Sequence, residues 1–178
     1  MKEKNFKEWF SNFEEEKRNF WSYNEKNKVF NIEDVVENLH ANIFQFIFEL
    51  IQNADDTVAT EASFYFYDKK IIFSHNGKNF TRENIQSITS VGYSDKKDND
   101  EQIGKFGLGF KSVNNITKVP EIYSLIEREE LNFKISNYII PEPIEKVDLF
   151  VKKQSRNKKT FFVFHLRKDL PKNFTSKC

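Results

Sequence analysis

Two stretches decide the fold and the chemistry of this chain: Glu49-Leu50-Ile51-Gln52-Asn53-Ala54-Asp55-Asp56 and Gly104-Lys105-Phe106-Gly107-Leu108-Gly109-Phe110-Lys111-Ser112. The first places Glu49, Asn53 and Asp56 at i, i+4 and i+7, so that two carboxylates and a carboxamide share one helix face. The second is a glycine-rich turn that opens onto a predicted helix, and free N–H groups at a helix start can hold a phosphate. Together they predict a nucleotide site with a divalent metal.

The amino-acid composition limits the classes of protein to which this chain can belong. The 178 residues suffice for one domain with an appended arm, and 38% hydrophobic residues with twenty Phe supply an aromatic core. The net charge of +1 gives no electrostatic reason to expect nucleic acid or an anionic membrane as the main partner. The single cysteine rules out an intramolecular disulfide, and no apolar run is long enough to cross a bilayer. We therefore expect a soluble, cytoplasmic protein.

Hydrophobic periodicity predicts an α+β fold. Helices are expected at 4–21, from Asn31, at 41–55, at 81–88 with Thr81 as N-cap, and at 110–116. Strands are expected at 63–67, 71–74, 121–125, 130–135, 147–151 and 160–166. This order predicts a two-layer sandwich of helices on a mixed, mostly antiparallel sheet. Residues 1–30 are expected to form an aromatic helical arm, and residues 31–178 the main domain.

Each candidate side chain has a role that its chemistry permits. Glu49 lies on an otherwise apolar helix, where it could act as general base towards a water that attacks a terminal phosphate. The Asn53 carbonyl oxygen suits Mg²⁺, which prefers hard oxygen ligands. Asp56 is expected to contact the sugar or a lysine, or to end the helix. Lys111 could pair with phosphate oxygens as a point charge, or face solvent on a surface helix.

Two further features bear on the site. The polar run Gly92-Tyr93-Ser94-Asp95-Lys96 precedes the glycine turn, and it suits either a lid over a bound nucleotide or an ordinary linker. The histidines, His40, His75 and His165, lack a recognisable metal spacing, so metal binding by them is not expected.

With these residues in order, the chain resembles the GHKL ATPase superfamily of gyrase, heat-shock chaperones, histidine kinases and MutL. Glu49-x-x-x-Asn53-x-x-Asp56 resembles the first box, His75-Asn76-Gly77 stands where a D-x-G box is expected, and 104–109 resembles the G-x-x-G-x-G box. The longer runs of sequence around these boxes are closest to those of the sacsin-like and MORC-like branches. The resemblance covers about residues 35–170, and it implies a Bergerat-type fold that binds ATP or ADP with Mg²⁺.

The resemblance also implies roles for the matched residues. Glu49 would be the general base, Asn53 would hold Mg²⁺, and Asp56 and Thr160 would lie on the adenine and sugar side. His75, Asn76 and Gly77 would line the base site. The phosphates would be surrounded by residues of the glycine turn and the loop before it: Ser94, Lys96, Gly104, Phe106, Gly107, Leu108, Gly109, Phe110 and Lys111.

One departure from the family pattern concerns the base. His75 replaces the family's adenine-reading Asp, and Asn79 replaces the second glycine of that box. A neutral imidazole accepts a hydrogen bond from the adenine amino group in only one of its tautomers. Adenine selectivity is therefore expected to be weaker here than phosphate binding.

The leading hypothesis is a Mg-dependent module that binds ATP, hydrolyses it slowly and uses lid closure to gate homodimerisation. The family's usual output domain is not expected within this chain, so a larger machine or a partner protein would complete it. A non-hydrolysing nucleotide-sensing interaction module is the alternative, although a pure binder needs no base at Glu49. A kinase is disfavoured because a water-activating Glu49 would waste the phosphoryl group.

Overall fold

A computed structural model describes residues 5–29, 31–38, 42–90, 109–126, 129–154, 160–171 and 174–175. In chain order its elements are α1 (Phe6–Asn27), α2 (Ile32–Asn38), α3 (Gln45–Asp56), β1 (Ala62–Tyr67), β2 (Lys70–His75), α4 (Arg82–Ile88), a 3₁₀ helix (Lys111–Asn115), β3 (Glu121–Ile126), β4 (Glu129–Ser136), β5 (Ile140–Pro143), α5 (Leu149–Lys153) and β6 (Thr160–His165). No helix in these described ranges combines the length and apolarity needed to cross a membrane.

The strands of the described residues form one open sheet in the order β1-β2-β6-β3-β4-β5. Every recorded pairing is antiparallel. The predicted α+β fold is therefore confirmed. In the register of β2 and β6, His75 stands directly opposite Thr160, so two predicted site residues meet where β2 ends and β6 begins.

Helices cover both faces of the sheet unequally. The larger core lies between one face and α1, α3 and α4, and includes Phe10, Leu50 and Ile85. Phe162 of β6 is central to it, because its ring contacts those of Phe73, Phe80 and Phe110. Since neighbouring strand residues point to opposite faces, the smaller core behind the sheet takes the alternate residues of the strands, including Ile72, Phe161 and Val163, with Val151 of α5.

Helix α1 shares the larger core. Phe6, Phe10 and Phe13 are buried in it, and the Phe10 ring meets that of Phe133 edge-on at 5.9 Å. The guanidinium of Arg82 on α4 lies over the Phe6 ring at 5.8 Å, an arrangement that favours a cation–π contact. The aromatic segment within 1–30 therefore packs on the sheet of its own chain.

The structure corrects three expectations about secondary structure. Residues 147–151 were expected to be a strand, but Asp148 accepts a hydrogen bond from Phe150 N at 2.8 Å and caps the short helix α5. Strand β5 was not foreseen, because two of its four residues are proline, which only a sheet edge tolerates. The helix expected at 110–116 is mostly the tighter 3₁₀ form.

Candidate functional site

Glu49 points from α3 towards the end of the glycine-rich turn. Its Oε1 accepts a hydrogen bond of 2.8 Å from Gln45 Nε2, one turn earlier on the same helix. Its Oε2 lies where a side chain at Gly109 would begin: an ideal Cβ there would be 2.8 Å from Glu49 Cδ and closer still to Oε2. A side chain at Gly109 would displace this carboxylate from its present position, so two segments sixty residues apart in sequence meet closely here.

A small cleft of about 20 Å³, partly open to solvent, lies beside this contact. Its apolar walls are formed by Phe80, Ile88, Phe110 and Phe162. Its polar atoms come from α3, β2 and the segments that follow them: Asn53, Thr57, His75, Lys78 and Asn84. Flat aromatic walls with a few convergent polar groups are typical of small-molecule sites.

The three polar residues that the sequence places on one face of α3 do not all reach the cleft. Asn53, one turn beyond Glu49, lines the cleft and is half-buried. Asp56 is exposed at the last position of the helix, outside the cleft lining. Thr57, the residue that follows it, reaches the cleft instead, and its hydroxyl donates to the Ala54 carbonyl at 2.8 Å.

His75 forms the buried polar end of β2, with 3% of its surface exposed. Burial lowers the pKa of its imidazole to about 4, so the ring is neutral near pH 7. Its Nδ1 accepts a hydrogen bond of 3.2 Å from the backbone N–H of Gly77. Thr160, opposite His75 in the sheet, pairs its hydroxyl with that of Ser124 at 2.9 Å rather than lining the cleft.

The two residues after His75 hold the backbone of this corner in place. The Asn76 carboxamide oxygen accepts from the N–H groups of Thr60 and Glu61, each at 2.9 Å, and its nitrogen donates to Thr60 Oγ1. A Cβ at Gly77 would lie 2.9 Å from the Thr57 carbonyl oxygen. Asn76 was expected to contact the nucleotide, but its carboxamide is occupied by the loop before β1.

The structure also corrects the expectation for Lys111. Its side chain is 1% exposed, and its ammonium group donates to the carbonyl oxygens of Ile88, at 2.6 Å, and Tyr138. Burial lowers its pKa to about 7, with a smaller contribution from Lys17. Lys111 therefore joins the end of α4 to the turn before β5, and it does not face solvent.

The model that defines the Sacsin domain matches residues 67–176, from the end of β1 to beyond β6. This chain belongs to the Sacsin domain family. Over 122 residues it is 35% identical to Protein NO VEIN of Arabidopsis thaliana, and over 97 residues it is 36% identical to human Sacsin. These alignments cover 64% and 45% of the chain, but only 4% and 2% of the length of the two relatives.

Part of the expected phosphate site of this Sacsin domain lies outside the described residues: Ser94, Lys96, Gly104, Phe106, Gly107 and Leu108. Of the glycine turn the structure describes Gly109, which contacts Glu49, and Phe110, which forms a cleft wall. The structure therefore describes the glycine turn only at its end, where it joins the 3₁₀ helix.

Sequence reasoning missed six residues that line the cleft: Thr57, Lys78, Phe80, Asn84, Ile88 and Phe162. Lys78 and Phe80 belong to the run that follows His75-Asn76-Gly77, so their position beside a candidate box was an available signal. Asn84 belongs to the helix start that was predicted from Thr81, and the two residues form a reciprocal capping box. In the sequence, the aromatic Phe162 has the pattern of an ordinary core residue.

Proposed function

We propose that this Sacsin domain is a nucleotide-binding module that holds a nucleoside triphosphate with Mg²⁺ and hydrolyses it slowly. ATP is the nucleotide that the resemblance to the GHKL superfamily implies. The observation that carries the proposal is the contact between Glu49 and Gly109, beside a cleft that contains Asn53 and His75. An acid and an amide of α3, the end of a glycine turn and His75 of β2 come together from three distant segments.

Glu49 would act as the general base. Its Oε1 is held by Gln45, which fixes the orientation of the carboxylate and leaves Oε2 directed at the glycine turn. A water between Oε2 and a terminal phosphate would give its proton to Glu49 as its oxygen attacks phosphorus. Backbone N–H groups at the turn would stabilise the charge that develops on the phosphate oxygens.

Magnesium would enter with the nucleotide. The described residues contain no group of three or more His, Cys, Asp or Glu side chains placed to hold a metal ion. Mg²⁺ commonly uses one or two protein ligands together with phosphates and waters. The Asn53 carboxamide, half-buried in the cleft, fits the role of one such oxygen ligand. Bound there, the ion would neutralise phosphate charge.

Phosphate release and calorimetric titration of ATP, with and without Mg²⁺, test this proposal. Glu49→Gln should keep nucleotide affinity within a few fold and abolish phosphate release, because the amide cannot accept the proton. Asp55→Asn is the matched control, since it removes the same charge from an exposed position of the same helix. Equal phosphate release by Glu49→Gln and wild type would refute the assigned base.

A non-hydrolysing nucleotide sensor is the second candidate. It is favoured by one observation: Glu49 is not among the residues that line the cleft, whereas Asn53 is. A wild-type chain that binds nucleotide with Mg²⁺ but releases no phosphate would establish this alternative.

The two relatives, of which this chain matches a few per cent, support the proposal that such a module works within a larger protein or with a partner. Nucleotide-gated homodimerisation is the further part of the proposal that the resemblance implies. Sedimentation at several concentrations, with and without a non-hydrolysable ATP analogue, tests it. An unchanged monomer in both states would remove the dimer from the proposal.

A further inference from the structure

The imidazole of His75 can offer the cleft only one kind of hydrogen bond. Its Nδ1 is already an acceptor for the Gly77 N–H, and a neutral imidazole carries one proton. That proton therefore sits on Nε2. None of the recorded hydrogen bonds of the described residues uses Nε2, and this nitrogen is not among the fully buried unpaired atoms. His75 thus presents a free N–H donor in a cleft that it lines.

The polar groups around His75 add donors rather than acceptors. The Asn84 carboxamide oxygen accepts from Thr81 N at 2.9 Å, which leaves its NH₂ group for the cleft. Lys78 contributes an ammonium group. None of the residues that line the cleft is an Asp or Glu. Among the side chains that line the cleft, those of Asn53 and Thr57 offer an exocyclic amine neutral oxygens as acceptors.

Purine bases differ in whether the group at their 6-position donates or accepts a hydrogen bond. Adenine carries an amino group there, a donor, whereas guanine and hypoxanthine carry a carbonyl oxygen, an acceptor flanked by the N7 acceptor. A donor that faces an amino group leaves both groups unpaired, which costs more than the absence of either. The aromatic walls of the cleft suit the flat face of any purine and do not discriminate among them.

We propose that His75 determines the base preference of this site, and that it favours a 6-oxopurine nucleotide over ATP through its Nε2–H donor. The inference rests on the proposed nucleotide-binding function and deepens it. ATP still binds when its base turns a ring nitrogen towards His75, at the expense of its amino group. The preference should therefore be about fivefold, the worth of one neutral hydrogen bond.

Calorimetric titration with MgATP and MgITP tests the inference, because inosine keeps the purine frame and exchanges the 6-amino donor and N1 acceptor of adenosine for a 6-oxo acceptor and an N1–H donor. Wild type should bind ITP about fivefold more tightly than ATP. His75→Asp, which places an acceptor at the same position, should reverse the order. His75→Asn, whose amide can donate or accept, should bring the two affinities within about twofold of each other.

The outcomes separate the two proposals. A wild-type chain that binds neither nucleotide overturns the proposed function and this inference with it. A chain that binds ATP more tightly than ITP overturns the inference alone, as does a folded His75→Asp or His75→Asn variant with an unchanged ITP-to-ATP ratio. Should His75→Asp not fold, nitrogen-15 NMR of the wild-type imidazole decides: a proton on Nε2 supports the inference, and one on Nδ1 overturns it.

Discussion

Replacing Gly109 with Ala tests the contact on which the proposed chemistry depends. A Cβ at this position would lie 2.8 Å from Glu49 Cδ and closer still to Oε2. The φ of Gly109 lies outside the left-handed region, so alanine suits the backbone and the whole effect falls on the Glu49 side chain. The carboxylate must rotate away, and its 2.8 Å hydrogen bond from Gln45 must break.

The expected magnitudes differ between stability and activity. A hydrogen bond to a charged group contributes about 1.5–3 kcal/mol, and Glu49 is only half-buried, so the free energy of unfolding should fall by about 1–2 kcal/mol. A positioned general base contributes about 10²- to 10⁴-fold to a rate, so phosphate release should fall by about 10²-fold or more. Nucleotide affinity should change by a few fold at most.

Chemical denaturation and phosphate release should be measured in wild type, Gly109→Ala, Glu49→Ala and the double variant. The clash needs both side chains, so Gly109→Ala should cost almost no stability when Glu49 is already alanine. Gly77→Ala is the comparison. Its Cβ would meet the Thr57 carbonyl oxygen at 2.9 Å, a backbone atom that cannot rotate away, so about 1–3 kcal/mol should be lost in either background.

Two results would refute this reasoning. One is a Gly109→Ala variant that releases phosphate at the wild-type rate, because the carboxylate would then not need its present position. The other is an equal loss of stability from Gly109→Ala with and without the Glu49 side chain, because the strain would then lie in the backbone.

Three further predictions follow from the described contacts. Gln45→Ala should lower kcat about tenfold and leave KM unchanged, since Gln45 positions the Glu49 carboxylate through one hydrogen bond; a change in KM alone would contradict this role. The pKa of Lys111 is about 7 when folded and about 10.5 when unfolded, so the unfolded state binds more protons between these values. The free energy of unfolding should therefore rise with pH above 7, with a slope approaching about 1.4 kcal/mol per unit, and the slope should flatten in Lys111→Met; denaturation at pH 7, 8 and 9 measures it. Phe10→Ala should lower the free energy of unfolding by about 3–5 kcal/mol, because its buried ring packs on the sheet, whereas Tyr23→Ala, at a position 63% exposed on the same helix, should change it by less than about 0.5 kcal/mol; similar values for both would mean that α1 is a separable arm.

Local signals in the sequence were sufficient for most of the secondary structure. The helix at Thr81 was predicted from its cap, and the capping box with Asn84 needs only residues within one turn. Residues 147–151 were misassigned because a short apolar run has the same appearance in a strand and in a helix. The cap at Asp148 decides between them, and the same carboxylate forms an ion pair of 2.8 Å with Lys70, which is seventy-eight residues away.

The candidate site also contains some features that local sequence signals indicate and others that depend on the tertiary fold. Glu49 and Asn53 were placed on one helix because their spacing is itself the signal, and the structure brings Glu49 beside Gly109. The role of Lys111 was not recognisable, because its partners Ile88 and Tyr138 come from segments that only the tertiary fold brings together. The sequence around a lysine beside a glycine turn is the same whether that lysine binds a phosphate or a pair of carbonyl oxygens.

Two glycines lie close to α3 beside the cleft, one against a side chain of the helix and one against the residue that follows the helix. Gly109 meets the helix at Glu49, and Gly77 meets the residue after its end at Thr57. The second approach is reinforced by a hydrogen bond of 2.9 Å from Lys78 N to the Thr57 carbonyl oxygen. Asn53 lies between these two points on α3. Backbone contacts tolerate less displacement than side-chain contacts, because a side chain can change rotamer and a packed backbone cannot. The Gly77 contact therefore fixes the end of α3 relative to the segment after His75, whereas the Gly109 contact depends on the rotamer of Glu49.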